Sequence, residues 1–215
     1  MSLKIGIVDN GMGNLSSVDN AFRTLGLSTR FIHSPEEINL VQAIVLPGVG
    51  AFCDAMERLR KTGLDLALTD AVMKRSVPFL GICLGMQLIA NYSEEGGHET
   101  GLGWIDSVVS RIVASPNVQV PHVGWNDISF NKNSEIFQGI NTGTHFYFDH
   151  SYEMLCNPKL VVAQTIYGDL KIIAGIQMKN IIAVQFHPEK SQLSGLRLIS
   201  NFVRFSQTKI AYKSC

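Results

Sequence analysis

The first 92 residues alternate short aliphatic runs with segments whose apolar residues recur at helical spacing. That alternation constrains the fold more than any other feature, because strands separated by helices pair as parallel neighbours through βαβ crossovers. It predicts strands over Leu3–Val8, Ser28–Ile32, Ala43–Leu46 and Phe79–Ile82. Between and after them it predicts helices over Ser16–Leu25, Ala51–Lys61, Leu64–Arg75 and Leu84–Tyr92, with a short helical turn opened by Pro35. From about residue 104 the segments shorten and are punctuated by Gly, Pro and Asn, which suits hairpins and mixed strands. Strand candidates there are Ile105–Val113, His145–His150, Leu160–Ile166, Lys171–Met178 and Ile181–Phe186. A closing helix over Gly195–Phe205 carries Leu196, Ile199, Phe202 and Val203 at helical spacing. No repeat or linker interrupts the chain. Residues 1–215 are therefore expected as one α/β domain, a central mainly parallel sheet flanked by helices with additional mixed or antiparallel strands in the second half.

Charge narrows the function classes. Lys plus Arg and Asp plus Glu number 18 each, so the chain lacks the basic field that attracts nucleic acid or an anionic membrane. The apolar runs are a few residues long, against the ~20 needed to span a bilayer. The start, Met1 to Lys4, has no secretory pattern. Cysteines at 53, 83, 156 and 215 form no C-x-x-C pair, which disfavours a zinc site or a disulfide framework and fits a reducing cytoplasm. Partners should be small molecules or proteins, and no metal or cofactor is expected.

Residues 81–87 read GICLGMQ and follow the apolar run Pro78-Phe79-Leu80. Glycines two positions to either side of Cys83 have the shape of a nucleophile elbow, the turn that ends a strand and begins a helix with the nucleophile at its apex. A thiol attacks only as thiolate, and a helix start or a neighbouring imidazolium favours that form. The pentapeptide alone serves a buried free cysteine equally well. Residues 181–191, IIAVQFHPEKS, supply a second signal. His187 arrives at the end of a strand, and residues two apart in extended backbone project to the same side. Glu189 can then accept from one ring nitrogen of His187 while the other faces a thiol, the order of nucleophile, base and orienting group found in triads. An ordinary turn with a solvated glutamate is the alternative for H-P-E taken alone. His33, His98 and His145 have no comparable setting and are expected to be structural.

Together these stretches resemble class I (triad-type) glutamine amidotransferases. VDNGMGN at 8–14, LPGVGAF at 46–52, GICLGMQ, GLGWID at 101–106, VPHVGWN at 120–126, FYFDHSY at 146–152 and QFHPEKS at 185–191 carry the resemblance over nearly the whole chain. They point to the branch whose glutaminase subunits serve a (β/α)8 barrel synthase of histidine biosynthesis. The resemblance implies a flavodoxin-like fold and hydrolysis of L-glutamine, with Cys83 as nucleophile, His187 as acid and base, and Glu189 as its orienter. It implies an oxyanion hole from the backbone N–H groups of Val49 and Leu84, glutamine contacts at Gly50, Gln87, Ser151 and Tyr152, and a partner face or ammonia exit at Asn14, His122, Trp125 and Lys190. The stretch PGVG is by itself a plain tight turn, and Trp125 is nearly as well explained as a buried structural residue. Two residues depart from the pattern, Asn10 and Asp149, and both are expected near the partner face. Related subunits feed surface-sugar amidotransferases, and a decayed triad would leave a non-catalytic binding module. The glycine-rich GMGN lacks the third glycine of a dinucleotide fingerprint and the lysine of a P-loop, so it is not read as a phosphate site.

Overall fold

The computed structural model describes residues 3–11, 13–131 and 134–213. Met12 of the GMGN stretch and Cys215 lie outside the described residues. The parallel half runs β1 (Ile5–Val8), α1 (Leu15–Thr24), β2 (Thr29–Ile32), β3 (Ala43–Gly48), α2 (Phe52–Thr62), α3 (Leu64–Thr69), β4 (Phe79–Cys83) and α4 (Leu84–Gln87). The second half adds β5 (Tyr92–Ser93), β6 (Glu99–Thr100), β7 (Ser107–Arg111), β8 (His122–Asp127), β9 (Ser129–Phe130), β10 (His145–His150) and β11 (Tyr152–Cys156). It closes with β12 (Val161–Tyr167), β13 (Leu170–Met178), β14 (Ile181–Val184) and α5 (Gln192–Lys213).

The main sheet has the order β2-β1-β3-β4-β14-β13-β12-β9. Its first five strands are mutually parallel, and β13, β12 and β9 extend it antiparallel. Strands buried on both faces need apolar residues at every position, and β1, β3, β4 and β14 are buried throughout. One apolar layer gathers Phe52, Met56, Leu59 and Phe79 beneath α2 and α3. The other gathers Phe22, Leu80, Phe186 and Phe202 beneath α1 and α5. The parallel architecture with added antiparallel strands agrees with the sequence reading.

Two boundaries differ in ways that matter for the site. Strand β3 runs on through Pro47 and Gly48, placing Gly48 in register with Cys83. The helix expected over Leu84–Tyr92 is a single turn. The carbonyls of Leu88, Ile89 and Ala90, which a longer helix would bond to its own next turn, instead accept from the backbone N–H groups of Leu102, Trp104 and Gly103. The loop at 101–105 thus ends α4, and the thiol receives little from so short a helix dipole. The closing helix is longer than expected at both ends, Gln192–Lys213.

Two smaller sheets lie beside the main one, β10-β8 and β11-β7-β5-β6. Strand β8 escapes sequence detection because Gly124, Asn126 and Asp127 break its aliphatic character, yet its alternate residues divide cleanly between two faces. Among the described residues no helix is long and apolar enough to cross a membrane.

Candidate active site

Parallel pairing of β14 with β4 matches Val184 to Ile82, so the chain leaves both strands at the same level. Cys83 leaves β4 with φ 52° and ψ −108°, a strained conformation for a residue with a Cβ. Gly85 makes the turn possible, since a Cβ there would lie 1.8 Å from the Leu46 carbonyl oxygen. His187 leaves β14 and is tied by its N–H to the Tyr147 carbonyl at 2.8 Å. Its Nδ1 pairs with Glu189 Oε1 at 2.7 Å, and both side chains are almost wholly buried. Nε2, without a conventional hydrogen-bond partner among the described residues, is left to the Cys83 sulfur.

Burial alone would make His187 harder to protonate, but the charge of Cys83 and the hydrogen bonds to Cys83 and Glu189 outweigh it and raise its pKa to about 10. The imidazole therefore rests as an imidazolium against the Cys83 sulfur at neutral pH. Cys83→Ala removes the foremost of these stabilising charges, so the His187 pKa should fall. Carbon and nitrogen chemical shifts of the His187 ring, followed from pH 6 to 11, check this: imidazolium persisting to the same pH in both proteins would contradict the pairing.

A cavity of about 350 Å³ opens beside the sulfur. Val49, Gly50, Leu84, Gln87, Ser151 and Tyr152, six positions singled out from the sequence, all line it. Leu84 is the first residue of α4, so its N–H has no intrahelical acceptor. Val49 follows Gly48, the register partner of Cys83. The amide nitrogen of Gln87 donates to the Tyr152 carbonyl at 2.9 Å and to Gln185 Oε1 at 3.0 Å, which leaves its own oxygen as the group it can offer a ligand.

Three residues that the sequence reading did not single out join them. Glu95 lines the cavity and accepts from the Phe52 N–H at 2.8 Å, capping α2 with a carboxylate from another segment. His150 also lines it. Gln185, fully buried, reaches the Cys83 sulfur at 3.6 Å.

The residues assigned to a partner face do not all lie on one. Trp125 is 47 % exposed and packs edge-on against Tyr147, with Val123 beside it at 52 %. Lys190 Nζ sits 5.1 Å over the Tyr147 ring and 4.0 Å from Asp149. Asn14 is at the surface, but its side chain caps α1 by accepting from the Ser17 N–H at 3.1 Å. His122 points the other way. Even-numbered positions of β8 face inward, and the His122 ring is buried between Phe148 and Tyr167. Its Nδ1 meets His150 Nε2 at 2.9 Å, and burial first of all lowers the two pKa values, to about 4 and about 3. Asn10 is likewise buried and offers no surface, while Asp149 stays exposed at the cavity rim. Of the remaining histidines, His33 pairs with Asp9, His98 stacks on Tyr92 and His145 is exposed.

A thiol, imidazole and carboxylate joined in this order, with the thiol on the wall of a cavity sized for a small metabolite, can carry out acyl transfer through a covalent intermediate. Residues 6–205 match the family model described as glutamine amidotransferase class-I. The chain belongs to the class-I glutamine amidotransferase family. It is 45 % identical over 198 residues to the imidazole glycerol phosphate synthase subunit HisH of Moorella thermoacetica, covering 92 % of this chain and 93 % of that one. The subunit of the same name from Archaeoglobus fulgidus is 42 % identical, covering 93 % of this chain and 97 % of the other. Solved structures agree in fold: a glutamine amidotransferase superposes with a TM-score of 0.75 at 18 % identity, over 94 % of this chain and 98 % of that one. PurLQS from Thermotoga maritima superposes with a TM-score of 0.74 at 16 % identity, over 95 % and 99 % of the two chains. This family member is an enzyme, a glutaminase.

Proposed function

We propose that the chain, as one glutaminase domain over residues 1–215, supplies ammonia to the synthase subunit of an imidazole glycerol phosphate synthase in the cytoplasm. The observation that carries the reading is the convergence of Cys83, His187 and Glu189 from two neighbouring strand ends, with Cys83 on the wall of the cavity. The relatives named for that synthase, similar over nearly their whole length, support the choice of pathway.

In this reading the Cys83 thiolate attacks the side-chain amide carbon of glutamine. The oxyanion that develops is met by the Leu84 and Val49 N–H groups. As the carbon–nitrogen bond breaks, His187 Nε2 gives its proton to the nitrogen, which leaves as ammonia. Water then attacks the glutamyl thioester and returns a proton to His187, and the thiolate departs, leaving glutamate. Glu189 keeps the imidazole turned correctly throughout. The carboxylate of Glu95 suits the α-ammonium group of an amino acid, and Gln87 offers its carbonyl.

Ammonia released into water at neutral pH becomes ammonium, a poor nucleophile, so a docked partner that receives it directly is advantageous. The exposed Val123 and Trp125 and the half-buried Tyr147, with Lys190 and Asp149 beside the cavity mouth, suit such a partner, a (β/α)8 barrel. Glutamate release should rise at least tenfold when the histidine-pathway barrel and its nucleotide ligand are added, and Trp125→Ala should raise the barrel concentration needed for half-maximal stimulation. Release that never responds to the barrel would overturn the histidine-pathway assignment.

A further inference from the structure

We propose that Gln185 is a further catalytic residue of this site, its side-chain amide donating to the Cys83 sulfur and holding it as a thiolate. The inference rests on the glutaminase reading only for its consequence in turnover.

Gln185 follows β14 directly, with its N–H bonded to the Ala174 carbonyl at 3.0 Å. It stands two residues before His187, in the segment that follows β14 at the level where Cys83 leaves β4. Its amide nitrogen is 3.6 Å from the Cys83 sulfur. Oxygen and nitrogen of an amide are fixed by their network rather than by shape, and here the network has one solution. The Tyr152 carbonyl can only accept, so Gln87, 2.9 Å away, must present its NH2 group there. The other hydrogen of that NH2 group then points to the neighbouring Gln185 atom at 3.0 Å, which must be the oxygen. The NH2 group of Gln185 is left facing the sulfur.

The same carbonyl fixes the arm on its other side. His150 Nδ1 lies 2.9 Å from the Tyr152 oxygen and must carry a hydrogen, so His150 Nε2 accepts from His122 Nδ1. His122 Nε2 in turn faces the Asn126 amide at 3.3 Å. Burial keeps both rings neutral, the contacts then hold each in one tautomer, and neither offers the site a charge.

A buried amide donor has a clear use here. The helix that begins at Leu84 is only four residues long, so its dipole gives the thiolate little. His187 supplies the opposite charge and also moves the proton. Gln185 adds a donor to the sulfur before attack, and again when the thiolate departs, that takes no part in proton transfer. The Cys83 carboxylate and imidazole neighbours, Glu189, Glu95, Asp149 and His187, and Lys190 beyond Asp149, are unaltered by changes at position 185.

The test is the rate of iodoacetamide alkylation at Cys83 against pH, read by peptide mass spectrometry so that other cysteines do not contribute. It needs neither glutamine nor a partner. Hydrogen bonds to a charged group are worth enough that Gln185→Met, similar in shape but without a donor, should slow alkylation at pH 7 by about ten- to a hundredfold. The rate should return to the wild-type value at high pH, where the thiol ionises unaided. Gln185→Glu keeps an acceptor for Gln87 but sets an acceptor against the sulfur, so it should be slowed in the same pH-dependent way; it also serves if the Met variant does not fold. Wild-type rates at pH 7 in a folded variant, or slowing by the same factor at every pH, would overturn the proposal. A pH-dependent loss in a protein that never hydrolyses glutamine would leave the proposal standing and sink the glutaminase reading instead.

Discussion

Alanine at position 83 is expected to lower glutamate release by about ten-thousandfold or more, the loss seen when the nucleophile of a triad is removed. The sulfur is the one atom that forms the bond to substrate, and neither neighbour can replace it. His187 faces the vacated space with an imidazole, and Gln185 with an amide. Folding should survive the change. Cys83 is a small buried residue, and alanine has the same backbone restrictions at φ 52° as cysteine. Unfolding midpoints of the two proteins should agree closely, so the comparison isolates chemistry from stability. Loss of activity together with a large fall in the midpoint would assign Cys83 a structural role.

The second large effect is on stability. Gly85→Ala would put a methyl group 1.8 Å from the carbonyl oxygen of Leu46, in the middle of β3. The obstacle is backbone in a central strand, not the end of a flexible side chain, so relief requires β3 and α4 to separate. Overpacking against a core ordinarily costs about 1–3 kcal/mol, and this case should lie at or above the upper end. Gly143→Ala is the opposite case: φ is 83° there, unlike at Gly85, but no atom lies within 4 Å of the added carbon. Its cost is the left-handed conformation alone, about 1–2 kcal/mol. Chemical denaturation of both variants checks the pair. Equal costs would show that the elbow has room to relax.

The parallel half of the fold was legible because β1, β3 and β4 are short, largely aliphatic runs buried on both faces, and α1 and α2 between them are amphipathic. The helix after Cys83 was not. Residues 84–92 carry helical propensity, but the loop at 101–105 claims the carbonyls of Leu88, Ile89 and Ala90, a tertiary competition that no local pattern reveals. Strand β8 was hidden by its glycine and its polar residues. His187 and Glu189 were readable as a pair from the H-P-E spacing, but a 3-10 turn over Pro188–Lys190, not the expected extended backbone, brings them together. Gln185 sits in the same stretch, two residues before His187. Glu95 had no such signal: it lies in the loop between β5 and β6, and only the fold brings it to the start of α2. His122 was misplaced for a related reason. Its neighbours Val123 and Trp125 face outward, and in a strand that sends His122 inward.

The most direct test of the account is the identity of the covalent intermediate. The purified chain, mixed with glutamine and the barrel synthase and quenched in acid during turnover, should carry the mass of one glutamyl group, and digestion should place it on the peptide containing Cys83. Glutamate release that continues with no adduct on that peptide, or that persists in Cys83→Ala, would contradict it.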